Sequence, residues 1–132
     1  LGYAYFFEGK VVHGDQRGRT LGYPTANLEI DNGQKLLPGH GVYAVRLFFE
    51  NERSGLGKTG MMNIGTRPTV QGTRSAVEVH VFDFDEVLYG KTIRVHCLHR
   101  LRNEQKFEGL DALKAQLKKD ELAARQLLEK GN

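Results

Sequence analysis

Tryptophan is absent from this 132-residue chain, cysteine occurs once and proline only three times. The lone Cys97 cannot close an internal disulfide and lies in an apolar-rich run with Ile93, Val95 and Leu98. A reducing, cytoplasmic setting is therefore expected. No stretch stays apolar for the roughly 20 residues that a bilayer-spanning helix needs, so no membrane partner is expected. No basic segment followed by an apolar one suggests secretion. Serine is scarce as well: neither Ser54 nor Ser75 sits in a nucleophile elbow. Of the five histidines, His96 and His99 are three apart in a candidate strand, and simple alternation aims them to opposite faces. With one cysteine, the usual tetrahedral zinc sites are not expected.

Charge of one sign is also modest. The formal net charge is +3 and the sequence pI is about 9.1. Arg17, Arg19, Arg67 and Arg74 lie in Gly-rich segments, whereas Lys114, Lys118 and Lys119 fall in a helical pattern. A nucleic-acid binder concentrates such residues on one face. No nucleic-acid partner is expected, and a small polyphosphate suits this balance at least as well. At 39% hydrophobic and 27% charged, the chain reads as one soluble domain over residues 1–132. It opens on Leu1 rather than Met and reads as a piece of a longer protein.

Gly-rich turns divide the first hundred residues into candidate strands at Tyr5–His13, Val42–Phe49, Thr59–Ile64, Ala76–Phe82 and Thr92–Leu101. In the fourth, Val77, Val79 and Val81 alternate with Glu78 and His80, which places the valines on one face. Short strands with no helices between them favour an antiparallel sheet closed into a small barrel. After Gly109 the period changes. Leu110, Leu113 and Leu117 form an amphipathic stripe. Leu122, Ala123, Leu127 and Leu128 continue it after Asp120, which could cap a second helical segment. The helical tail is expected to cover part of the barrel as a lid with no role in chemistry.

Two tempting phosphate-binding tripeptides fail on inspection. Gly57-Lys58-Thr59 and Gly90-Lys91-Thr92 each need a glycine five residues before the first Gly, and those positions hold Glu52 and Asp85. The segment Gly9–Asn27 is more informative. Gly9, Gly14, Gly18 and Gly22 accompany Arg17 and Arg19, so backbone amides and guanidinium forks can converge on an anion. It ends in Pro24-Thr25-Ala26-Asn27, where Thr25 and Asn27 share a face if the backbone is extended. A hydroxyl and an amide carbonyl are hard oxygen donors of the kind magnesium accepts. Alone, the glycine-rich stretch reads better as a hairpin loop with solvated arginines, and Thr25-Ala26-Asn27 as a capped turn.

Four blocks in order give the chain a resemblance to the riboflavin kinase family, notably the C-terminal kinase module of bacterial bifunctional riboflavin kinase/FMN adenylyltransferases. They are Gly9–Asn27, Leu37–Ala44, Asn63–Thr69, and Val77–Phe84 followed by Leu101–Phe107. The resemblance implies a mainly β fold, a six-stranded antiparallel Greek-key β-barrel with a C-terminal α-helix or helices. It implies transfer of the ATP γ-phosphate to the riboflavin 5′-hydroxyl, giving FMN and ADP. The family's magnesium ligands fall on Thr25 and Asn27, and its catalytic glutamate on Glu78. Gly14, Arg17, Gly18 and Arg19 would cover the ATP phosphates, with Tyr89 and Gly90 near the adenine. Arg102, Glu104 and Phe107 match a mobile flap over the flavin ring. The N-terminal FMN adenylyltransferase domain of those proteins is missing from this sequence, so no FAD synthesis is expected of the chain by itself. Two rival readings, a non-catalytic flavin-binding barrel and a nucleic-acid barrel of the OB type, leave the combination of all four blocks unexplained.

Overall fold

A computed structural model of the chain describes residues 5–12, 25–30, 39–49, 57–70, 72–83 and 89–131. Six strands precede one helix: β1 (Tyr5–Val12), β2 (Ala26–Ile30), β3 (Gly41–Phe49), β4 (Lys58–Thr69), β5 (Gly72–Val81), β6 (Thr92–Arg102) and α1 (Leu110–Gly131). The strands close into a barrel in the order β1-β2-β5-β4-β3-β6, and every neighbouring pair is antiparallel. β3, β4 and β5 follow one another as neighbours, and β6 returns beside β3, the Greek-key order. Closure leaves no sheet edge free to recruit another strand.

Period-two patterning fills the barrel. Val45 and Leu47 from β3, Met62 and Ile64 from β4, Val77, Val79 and Val81 from β5, and Ile93 and Val95 from β6 form one buried cluster. The intervening residues point outward. Part of that outer surface is itself covered, because Ala44, Met61 and Phe82 pack against Ala124 and Leu128 of α1. The barrel thus has an inner core, with a second apolar layer between its outside and the helix.

Gly60 shows how closely the strands approach. A Cβ placed there would meet the carbonyl oxygen of His80 on β5, which is backbone and cannot swing away. Gly60→Ala is therefore expected to lower the melting temperature by several degrees, a shift readable by thermal unfolding. Cys97 belongs to the inner core, and burial pushes its thiol up to about 12. Since the folded state holds this proton more tightly, its contribution to stability is complete at neutral pH. That contribution declines as pH rises between 9.0 and about 12. Native protein is expected to resist thiol alkylation at a rate limited by opening of the fold; rapid native-state labelling would contradict this.

Three local expectations change. α1 is one continuous helix, and Asp120 lies inside it rather than capping a second one. The buried stripe runs through Asp120, Ala124 and Leu128, while Leu122 is exposed. A carboxylate can occupy that apolar stripe because Arg102 at the end of β6 meets both of its oxygens, at 2.8–3.1 Å, and Gln116 donates to it one turn earlier. β6 is also irregular. Register shifts in its pairing with β3 set His99 opposite Ala44 and His96 opposite Arg46, so both histidines pair with outward-facing residues. The bulges displace simple alternation, which had aimed the two apart. Finally, β2 has no counterpart among the strands found by alternation: Ala26, Leu28 and Ile30 alternate with Asn27 and Glu29, but five residues are too few to stand out after the Gly-rich segment.

Candidate active site

One row of outward-facing side chains crosses five strands. Asn27 on β2 pairs with Glu78 on β5, Glu78 with Asn63 on β4, Asn63 with Val42 on β3, and Val42 with Arg102 on β6. Each member follows from its neighbours in sequence. Leu28, Val77, Val79, Met62 and Ile64 point into the barrel core, so Asn27, Glu78 and Asn63 point out of it. Directly opposed residues on adjacent strands have Cα atoms about 4.5–5.5 Å apart. Glu78 therefore stands between two asparagine side chains.

Beside this row, α1 and residues between Arg102 and Gly109 wall a half-open cavity of about 540 Å³. Its polar floor includes Thr25, Glu78, Asn63 and His80, and its apolar wall includes Leu113 and Leu117. The helix is therefore part of the site and more than a lid. Beyond Phe107 and Gly109 the wall continues into Leu110, half exposed at the mouth. A flat, largely apolar group could lie against the helix while a polar tail reaches Glu78.

Two acceptors in the row lack donors. Asn27, only 8% exposed, has a buried Oδ1 with no hydrogen-bond partner, and Asn63 Oδ1 is in the same state. An unsatisfied buried acceptor costs on the order of 1–3 kcal/mol. Such atoms call for a donor or a cation supplied from outside. For magnesium the set fits: Thr25 and Asn27 offer two oxygens at the start of β2, and the ion ordinarily leaves its other positions to water and phosphate. Among the described residues no group of three or more His, Cys, Asp or Glu gathers as a metal site, which a two-ligand magnesium position does not require.

The structure brings Thr25, Asn27 and Glu78 together. It also joins Arg102, Glu104 and Phe107, which line the cavity in the stretch between β6 and α1. Arg102 is engaged by Asp120, donates to the Asn103 carbonyl, and lies 5.7 Å from the Phe107 ring centre. Its evident work is to hold this stretch against the helix. The Glu104 carboxylate rests where a Cβ on Gly65 would otherwise stand. Tyr89 and Gly90 sit elsewhere, in the turn before β6. There Gly90, at φ 84°, donates its amide to Val11, one residue before the partner of Asn27. Gly14, Arg17, Gly18 and Arg19 lie outside the described residues.

Sequence reasoning missed Asn63 and Asp120 as members of the site. Asn63 carried a signal, an amide between the inward-pointing Met62 and Ile64. Asp120 carried a misleading one, since an aspartate between two leucine-rich segments imitates a helix cap.

At the far end of α1, Arg125 anchors the turn that leaves β5. Its guanidinium meets Asp83 at 3.0 Å and Glu121 at 2.8 Å, and stacks 4.5 Å over Phe82. Asp83 adopts φ 55° there. Hydrogen bonding and charge from Arg125 hold its carboxyl below the usual carboxylate value.

A barrel of this topology, with a carboxylate between orphaned amide oxygens beside a half-open cavity, has the makings of a small-molecule site, and comparison with known proteins gives its family. The family model Flavokinase: Riboflavin kinase matches residues 1–128. The bifunctional riboflavin kinase/FMN adenylyltransferase of Escherichia coli strain K12 is 47% identical over 129 residues, covering 96% of this chain and 39% of that protein. Among solved structures, riboflavin kinase from Trypanosoma brucei superposes with a TM-score of 0.71 at 27% identity, over 96% of this chain and 78% of that one. A Streptococcus pneumoniae structure described as a macrolide-efflux protein superposes at 0.81 with 39% identity, over 91% of this chain and 38% of that one. The chain belongs to the riboflavin kinase family. It spans about 39% of the length of the curated bifunctional relatives. Among the described residues, no helix is long and apolar enough to cross a membrane.

Proposed function

We propose that this chain phosphorylates riboflavin, transferring the γ-phosphate of ATP to the 5′-hydroxyl to give FMN and ADP. The observation that carries this reading is that Glu78 lies between Asn27 and Asn63, and that Glu78, Asn63 and Thr25 form the floor of a half-open cavity, in a chain of this family. Phosphoryl transfer relies on positioning and charge neutralisation more than on covalent help from the protein. Thr25 and Asn27 would hold magnesium, whose charge when bound offsets that of the phosphate oxygens. The flavin ring lies against the apolar face of α1, and the ribityl chain runs toward the sheet. Glu78 orients the 5′-hydroxyl and accepts its proton as the new O–P bond forms and the bond to the leaving ADP oxygen breaks. The helix and Phe107 cover one side of the cavity, so a bound flavin ring would itself limit the access of water to the transferred phosphate.

Asn27→Ala tests the metal assignment. The variant is expected to need a higher magnesium concentration for half-maximal activity, with the riboflavin dependence little changed. An unaltered magnesium requirement would remove Asn27 as a ligand. A partner domain carrying adenylyltransferase activity belongs to this proposal as well, since the bifunctional relatives extend well beyond the matched region.

A further inference from the structure

Asn27 has a task in the account above, but the other orphaned acceptor has none. Asn63 Oδ1 is buried, lacks a donor, and belongs to a residue lining the cavity. The two amides stand on opposite sides of Glu78. Thr25 and Asn27 occupy the β2 side, where a phosphate donor would be held. Asn63 occupies the side that continues through Val42 to Arg102 and α1, where the acceptor molecule would lie. Its side chain is therefore among the polar groups that a polyol tail would meet on its way to Glu78.

Proton counting narrows its partner. The reacting hydroxyl has one proton, and that proton goes to Glu78. Asn63 Oδ1 can accept only from a different donor, and in a polyol the nearest is the hydroxyl on the adjacent carbon. Neighbouring-strand spacing of about 4.5–5.5 Å matches two acceptors that each take one hydroxyl of a vicinal pair. We propose that Asn63 binds the hydroxyl next to the reacting one, so that Glu78 and Asn63 together read a terminal 1,2-diol. For riboflavin these are the 5′- and 4′-hydroxyls. The inference rests on the riboflavin kinase reading and deepens it: the site selects an acceptor ending in a diol, and Asn63 sets the rotation of the terminal carbon that aims the nucleophile.

The test compares riboflavin with 4′-deoxyriboflavin by equilibrium flavin fluorescence, with magnesium and a non-hydrolysable ATP analogue present. Wild type is expected to prefer riboflavin about tenfold, the effect of one buried acceptor left without its donor. In Asn63→Ala that preference falls to within about twofold, whereas in Glu78→Gln it persists. Asn63→Ser, which keeps an oxygen on the same strand position, is expected to be intermediate and serves if the alanine variant does not fold. Three outcomes overturn the proposal: wild type that does not distinguish the two flavins, Asn63→Ala that keeps the full preference, or a magnesium requirement that shifts with Asn63. Because binding is read separately from turnover, a wild-type chain that binds riboflavin without phosphorylating it refutes the kinase reading alone. The same comparison then still decides the role of Asn63.

Discussion

Glu78→Gln is expected to lower riboflavin phosphorylation about 10²–10⁴-fold, the usual contribution of a general base. In a loose transition state the attacking oxygen is only slightly bonded, so the loss should fall toward the lower end of that span. Glutamine keeps the size of the side chain and one carbonyl oxygen, so the cavity and the pairing with Asn27 and Asn63 persist. ATP affinity is therefore expected to change little, and the loss should appear in kcat. Steady-state kinetics with both substrates varied checks this. A variant retaining near-normal turnover would remove Glu78 from the chemistry, and one that chiefly lost ATP affinity would move it to nucleotide binding.

Asp120→Ala is expected to produce the largest loss of stability, about 3 kcal/mol or more, with a fall of roughly 10 °C in melting temperature. Asp120 is 3% exposed, and its partner Arg102 is largely covered. Removing the carboxylate leaves a guanidinium without its counter-ion against an apolar helix face. Restoring partial burial of a polar group, Asp120→Asn should cost less than Asp120→Ala, because the amide can still accept from Arg102. The pair also fixes where β6 ends and the 102–107 stretch begins, so both variants should weaken flavin binding beyond what their lost stability explains. Thermal unfolding alongside flavin titration separates the two effects. A melting temperature within a degree or two of wild type in Asp120→Ala would refute the ion pair as a structural tie.

Much of this arrangement is legible in the residues. Strict alternation of Val77, Val79 and Val81 with Glu78 and His80 sets the catalytic candidate on the outside of the sheet, where the structure has it. The change from period two to period three and four after Gly109 marks the helix. Short β2 escapes because its alternation of Ala26, Leu28 and Ile30 with Asn27 and Glu29 lasts only five residues and begins directly after Pro24-Thr25, so it reads as the end of the preceding loop. The bulges of β6 escape for a different reason. Their cause is three-dimensional: Leu98 and Leu101 join the apolar layer under α1, and Arg102 reaches Asp120. The position of Asp120 depends on the same partner, eighteen residues away, so local capping chemistry is a misleading guide there. Asn63 was visible as an outward-pointing amide, but its lack of a donor exists only in the folded barrel.

Incubating the purified chain with riboflavin, ATP and magnesium and resolving the flavins by chromatography addresses the whole account at once. FMN is predicted to form in step with ADP only when all three components are present, and to diminish sharply in Glu78→Gln. A folded chain that binds riboflavin and magnesium–ATP yet forms no FMN would contradict it, and would leave a flavin-binding barrel in place of a kinase.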